Sequence, residues 1–407
     1  MAFKHGVYVE EVPTALVPPR PVESALPFVV GAAPVQSIAE AGDRKINEPV
    51  VVRSFEQFAE VFGEVPDGEA EADYSLSLFA RIYFTLYGAQ PVVVLNVFDP
   101  ATHVDGEGDP DVTQVVAADV VGGIVGGART GLEAVEMVFP TFGVVPTAIA
   151  APGYSDQPTV AAAIVTKAAL YGGTWRALPV VDVPDTEETE AEVIAWKAAN
   201  VPAGYACWPS VKAGAVTHPL SAHVLGLLAA TDLANGGVPL ESPSNKKLRG
   251  VTGSTRALTD PEANALNAQG VATAVRFGTD GLVLWGNRLA AYPGSTDYKD
   301  SLVTARRLLI HIANQLVLST RQDIDDPLNR KKVESLVEKT NIYLSSLVGQ
   351  GALVDARVAV YDQDNPGTQL ADGKLVFRVA YAPTAPAESI TFRLEIDTDS
   401  YSSVLSA

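Results

Sequence analysis

Between residues 141 and 290, short apolar segments and longer helix-periodic segments take turns along the chain. VVPTAIAAPG (144–153) reads as a strand, PTVAAAIVTKAALY (158–171) as a helix and ALPVVDVP (177–184) as a strand. TEETEAEVIAWKAA (186–199) is the next helix, with an acidic first turn that suits the helix dipole. GYACWPS (204–210) is a strand, and PLSAHVLGLLAATDLANG (219–236) is a helix closed by glycine. Parallel neighbours need a crossover of about this length, so the pattern predicts a parallel sheet covered by helices. A doubly wound α/β domain is expected over 141–295, with VATAVRFG (271–278) and GLVLWG (281–286) as its last strands.

A first α/β segment, 26–100, precedes it. LPFVVGAA is an apolar strand, and SFEQFAEVFG (54–63) has Phe55, Phe58, Val61 and Phe62 at helical spacing. SLSLFARIYFTLYGA (75–89) predicts one buried helix, and PVVVLNVF (91–98) a strand buried on both faces. Residues 101–140 carry a loop signal, DPATHVDGEGDPD, and a glycine-rich run, VGGIVGGARTG, and predict a small, mostly β insertion. Residues 296–381 predict an α+β domain: helices over 296–322 and 327–351, then strands over 354–360 and 374–381.

Both ends carry a short amphipathic strand on a proline-containing spacer. GVYVEE (6–11) is followed by Pro13, Pro18, Pro19 and Pro21 within an arm spanning 1–25. SITFRLEID (389–397) follows APTAPAE within an arm spanning 382–407. A lone strand cannot satisfy its own backbone, and one with an apolar face invites aggregation unless a sheet is designated to receive it.

Composition narrows the partners. A chain of 407 residues exceeds one ordinary core, so several domains are expected. The net charge of −19 argues against nucleic acid or an anionic membrane as partner. The single cysteine, Cys207, excludes an intrachain disulfide. No signal peptide and no apolar run long enough to span a membrane is read.

Signatures of catalysis are missing from the sequence. LRGVTGSTRA (248–257) lacks the lysine and spacing of a phosphate loop, and VGGIVGGARTG reads as turns or bulges. There is no GxSxG and no HExxH. His218 and His223 have i, i+5 spacing, which does not align ligands on one helix face. His311 reads as a satisfied core histidine, and the acidic runs 64–73 and 182–192 as solvated surface. No metal or cofactor is expected.

Charge is distributed unevenly. Residues 297–350 hold eight Lys/Arg against seven Asp/Glu, a balance of +1, so the remainder carries −20. Asn329-Arg330-Lys331-Lys332 is a basic cluster at a helix start, the unfavourable end for the dipole. It is either a solvated face or a contact with an acidic partner surface. On the helical wheel Val333, Leu336, Val337, Leu344 and Leu347 share one face, and Ile342 interrupts the polar one.

Four stretches in this order resemble the contractile tail sheath proteins of myophages and related contractile injection particles. They are GVYVEEVPT with its proline-rich link, SPSNKKLRGVTG (242–253), TARRLLIHIANQL through DDPLNRKKVESLVEKTNIYLSSLVGQGAL, and KLVFRVAYAPTAPAESITFRLEI. The resemblance implies a structural subunit with no active site, whose central domain is subtilisin-like. It implies hexameric rings stacked in a helical tube around an inner tail tube, with baseplate and terminator proteins at the ends. The location implied is the virion tail sheath, assembled in the bacterial cytoplasm. Strands Val7, Tyr8, Val9 and Glu10 and Ile390, Phe392, Leu394 and Ile396 would join neighbours' sheets, built from Val358, Val360, Leu375, Phe377 and Val379. Arg330, Lys331, Lys332, Lys339 and Ile342 would attach to the tube. A soluble α/β hydrolase or nucleotide-binding enzyme is the alternative.

Overall fold

Five consecutive residues, Val92–Asn96, are all buried, as a strand covered on both faces requires. They lie within a nine-stranded sheet. The computed structural model describes residues 22–398 apart from 277, 279 and 280; the expected strand of Val7, Tyr8, Val9 and Glu10 lies outside them. In chain order, β1 (Pro27–Gly31), β2 (Val50–Val52), α1 (Phe55–Phe62), α2 (Ser75–Ala80) and β3 (Val92–Asn96) come first. α3 (Ala117–Val121), β4 (Ile124–Val125), β5 (Ala128–Arg129) and α4 (Val135–Phe142) follow. Next are β6 (Ala148–Ala150), α5 (Pro158–Ala169), β7 (Leu178–Asp182), α6 (Glu190–Asn200) and β8 (Tyr205–Cys207). β9 (Val211–Ala213), β10 (Val216–His218), α7 (Leu220–Ala234), β11 (Lys246–Lys247), β12 (Gly253–Ser254), α8 (Asp260–Asn267), β13 (Val271–Arg276) and β14 (Leu282–Trp285) complete this part. The C-terminal part holds α9 (Tyr298–Ser301), α10 (Val303–Thr320), α11 (Arg330–Gly349), β15 (Leu353–Ala359), α12 (Gly367–Ala371) and β16 (Arg378–Pro383).

The large sheet runs β11-β14-β13-β8-β7-β6-β1-β3-β2. The strands from β13 to β3 pair in parallel, and antiparallel strands close both edges. The chain winds from β1 to β3 on one side and from β6 outward to β13 on the other, which is the doubly wound arrangement. Segments 26–100 and 141–295 therefore build one sheet around one core. Helix α6 starts with a capping box, Thr189 and Glu192 satisfying each other's backbone N–H groups. Helix α7 is apolar on all sides because it is buried on nearly all sides. No helix among the described residues is long and apolar enough to cross a membrane.

Three expectations need correction. The helix expected over 75–89 stops being α-helical after Ala80 and continues as a π-helix over Arg81–Leu86. Segment 101–140 is not mostly β. Its hairpin has two pairs of residues around Gly126 and Gly127, whose φ of 58° and 86° form the tight turn. The rest is short helices and turns, and Val120, Leu132 and Val138 join the main core. In the C-terminal part, β16 starts only at Arg378, so Leu375 and Phe377 precede the ladder. The Asn365 side chain takes up the backbone there: Val376 N donates to its Oδ1 at 2.7 Å, and its Nδ2 donates to Val376 O at 3.0 Å. The expected face persists, with Leu375, Phe377, Val379 and Tyr381 half-buried between exposed neighbours.

Helix α10 is the wall shared by two cores. Val303 and Ile310 belong to the main core. Leu308 and Ile312 belong to a second one with Leu344, Leu347 and Leu353, under α11 and the β15–β16 ribbon. The two parts are also joined by a buried ion pair. Arg307 of α10 donates to Asp232 of α7 at 3.0 Å, with side chains 5% and 2% exposed. Ser24 donates its hydroxyl to the same carboxylate, and its carbonyl accepts from Arg307 at 3.4 Å. Val22 N donates to Gln315 Oε1 at 2.7 Å. Removing one member of such a pair leaves a buried charge alone. Asp232→Ala is expected to lower the unfolding free energy by about 3–5 kcal/mol, measured by urea denaturation. The paired replacement Asp232→Leu with Arg307→Met should recover most of the loss.

His311 is buried, but its Nδ1 has no partner among the described residues, contrary to the satisfied histidine expected. Burial lowers its pKa to about 4. An unfolded histidine protonates near 6.5, so the unfolded state takes the proton first as pH falls. His311 therefore costs stability progressively from about pH 6.5 down to 4. Relative to wild type, His311→Leu should gain about 1.4 kcal/mol per pH unit across that window, read from urea midpoints at several pH values.

Candidate assembly surfaces

Helix α11 begins with Asn329, whose Oδ1 accepts from Lys332 N at 3.0 Å. The cations clustered there divide into two kinds. Lys332 Nζ reaches Asp323 at 2.7 Å and Asp326 at 2.6 Å. Lys339 Nζ reaches Ser319 O at 2.6 Å and Asp323 at 3.4 Å. Partial burial pushes the Asp323 carboxyl up, but the two ammonium groups outweigh it and hold its pKa below the usual range. Lys332 and Lys339 thus fasten the 321–329 turn to α11, and for Lys332 this offsets its unfavourable place in the first turn of the helix. Arg330, with a side chain 91% exposed, pairs with Glu334 one turn on, at 2.7 Å. Lys331 is exposed and forms no ion pair among the described residues. The four cations expected to act together are therefore not equivalent: two project outward and two are held within the fold.

The apolar face of α11 falls where the wheel places it. Leu344 and Leu347 are buried, and Val333, Leu336 and Val337 are half-buried. Ile342 is exposed and lines an open apolar groove of 590 Å³ with Val333, Val337 and Val360. Lys332→Ala is expected to lower the melting temperature, and Lys331→Ala to leave it unchanged, by differential scanning fluorimetry.

The ribbon of β15 and β16 is antiparallel, with Val358 opposite Val379. Neither strand has a second ladder partner among the described residues. Val358 is buried, and its N–H donates to Asn341 Oδ1 of α11 at 3.1 Å. Val360 follows β15 at the groove. After β16 the chain runs without a turn from 384 to 397. Thr384 donates its N–H to Ala352 O at 3.1 Å and its hydroxyl to Gly351 O at 2.7 Å. Glu388 pairs with Arg288 at 2.5 Å. Beyond it Ile390, Phe392, Leu394 and Ile396 are 75%, 83%, 97% and 81% exposed. Four large apolar side chains at alternate positions in a turn-free segment form a face that nothing among the described residues covers.

The sheet also holds a carboxylate between two hydroxyls. Asp182, at the end of β7, accepts from Ser155 Oγ at 3.0 Å, from Ser221 N at 2.8 Å and from Ser221 Oγ. Burial pushes its pKa up to about 6. No imidazole among the described residues bonds either serine. His218 Nδ1 lies 3.0 Å from His223 Nε2, and His223 Nδ1 lies 3.1 Å from the Tyr87 hydroxyl. The spacing argument against this histidine pair assumed one helix, but His218 ends β10 while His223 sits in α7. Among the described residues the base within reach of either serine is Asp182 itself, which both hydroxyls share and which also accepts from the Ser221 N–H. These side chains fasten α7 to the strand ends. Among the described residues no cluster of His, Cys, Asp and Glu could hold a metal.

Known proteins share this architecture along the chain. Residues 127–288 match the family model for the phage tail sheath protein central domain, and 296–397 that for the phage tail sheath C-terminal domain. The chain is 29% identical to a putative prophage major tail sheath protein of Pseudomonas aeruginosa (strain UCBPP-PA14), over 97% of each chain. It is 32% identical to the tail sheath protein of Burkholderia phage BcepMu, over 71% of this chain and 63% of that one. A chain of the anti-feeding prophage baseplate superposes with a TM-score of 0.71 at 20% identity, covering 98% of this chain and all of that one. A chain of the PVC sheath complex, from an extracellular contractile injection system in its contracted state, also gives 0.71 at 19% identity, over 98% and 99%. The chain is a tail sheath subunit, a structural protein and not an enzyme, and its fold is shared with chains of the anti-feeding prophage and of an extracellular contractile injection system. The chain belongs to the phage tail sheath protein family.

Proposed function

We propose that this subunit polymerises as hexameric rings stacked in a helical sleeve around an inner tail tube. Subunits are linked by strand exchange, and the sleeve contracts to drive the tube through a cell envelope. The observation that carries this reading is the exposed face of Ile390, Phe392, Leu394 and Ile396 beyond a ribbon that has no second ladder partner among the described residues. A strand of that kind completes its backbone bonds by joining a sheet of another copy. Val358, Val360, Leu375, Phe377 and Val379 are the proposed receiving residues, and Val7 to Glu10 the second donated strand. Further support comes from the six-fold symmetrised baseplate and contracted sheath assemblies that hold the similar chains. The subtilisin-like description of the sheet domain is part of the same reading.

Contact with the tube is assigned to Arg330, Lys331 and Ile342, which project, with Lys332 and Lys339 shaping the turn beneath them. Such contacts are weak and salt-sensitive, so they release row by row as a metastable extended lattice relaxes. The baseplate and a terminator protein bound the sleeve, which forms part of a virion tail assembled in the bacterial cytoplasm.

Removing residues 389–407 is expected to leave the monomer folded, with an unchanged circular dichroism spectrum, and to abolish striated sleeves in negative-stain electron microscopy. Sleeves of normal length from the truncated chain would refute strand exchange. Charge reversal at Arg330 and Lys331 should leave tube-free polymers intact and reduce assembly on the tube.

A further inference from the structure

A donated strand must avoid its own sheet. Six residues, 384–389, separate the end of β16 from Ile390. That is enough chain for a hairpin, whose loops are commonly two to five residues long. The outer edge of β16 has no ladder partner among the described residues. The alternation of Ile390, Phe392, Leu394 and Ile396 would fit beside Val379 and Tyr381. The chain therefore contains the parts of a self-closed hairpin that would bury the strand and remove it from assembly. The structure shows the opposite, an extended path with the apolar side chains outward.

Two fastenings hold that path. Thr384 is bonded through its N–H and its hydroxyl to Ala352 and Gly351, at the start of β15. Glu388 is bonded to Arg288, in the segment after β14, and Arg288 also stacks at 4.6 Å over the Tyr292 ring. Pro386, Ala387 and Glu388 form one wall of a polar pocket of 490 Å³, whose other walls include Ser244, Asn264 and Trp285. A turn within 384–389 competes with the extended path that brings Glu388 to Arg288.

We infer that the Arg288–Glu388 pair is a clasp that holds the C-terminal strand open for a second copy of this chain and against closure on its own β16. This rests on the strand-exchange reading. The clasp ties the tail to the sheet domain, so the direction in which the strand leaves is set by that domain and not by the ribbon it would otherwise join. A partly exposed ion pair is worth a small factor, so the clasp biases the two paths by about two- to fivefold.

The test uses the full-length monomer, with Glu388→Lys as the disruptive variant and Glu388→Gln as the neutral one. Hydrogen–deuterium exchange of amides 389–397 reports closure. The expected result is fast exchange in wild type, protection raised about two- to fivefold in Glu388→Lys, and a polymerisation rate lowered to match, with Glu388→Gln between. Pairing Glu388→Lys with Arg288→Glu should restore both readouts. Exchange and polymerisation at wild-type level in Glu388→Lys overturn the clasp. The chain lacking 389–407 separates the two claims. If it fails to polymerise while Glu388→Lys behaves as wild type, only the clasp falls. If it polymerises normally, strand exchange falls and takes the clasp with it.

Discussion

The contact between Asp232 and Arg307 ties three distant parts of the chain at one carboxylate: α7 of the sheet domain, α10 of the C-terminal part and Ser24 at the root of the N-terminal segment. It is buried, so losing either partner alone leaves an uncompensated charge inside the body. Gln315 holds Val22 about two turns further along α10, and Asn314 exchanges two hydrogen bonds with the Arg176 backbone. Val22 and Ser24 are thus held by the helix that joins the two cores. The C-terminal tail departs from Thr384, itself bonded to the residues that follow α11.

The sheet domain was legible because burial on both faces leaves a mark in sequence. Runs such as Val92–Asn96 and Leu178–Asp182 are apolar without alternation, and helices of crossover length follow or precede them. What local pattern does not carry is which runs become neighbours. That β1 lies between β3 and β6, merging two segments into one sheet, is a long-range outcome. The π-helical stretch after Ala80 shares its composition with an α-helix, so periodicity does not separate them. In 101–140 the glycine run marked a turn correctly, yet two residues on each side make only the smallest hairpin.

The candidate surfaces were legible to different degrees. Alternation alone marked the face of Ile390 to Ile396, and the structure leaves those side chains uncovered. The cations of α11 were visible as a cluster, but not their division. The signal was present in DIDDPLNRKK, where acids and bases flank a single turn and Asp323 lies nine residues from Lys332. The Asp182 and Asp232 clusters left no such trace. Their partners lie tens to hundreds of residues away, and serine, aspartate and arginine are common enough to carry no pattern.

Because α10 lends one side to each core, the two parts of the body cannot shear past each other without opening both. Compliance is left to the chain beyond residue 384, which crosses from the ribbon to the sheet domain and then joins no ladder among the described residues. On the proposed strand exchange, an array of such units is a set of stiff plates on short straps: its pitch and diameter change together while every plate keeps its shape, and the work of that change is stored between subunits instead of inside them.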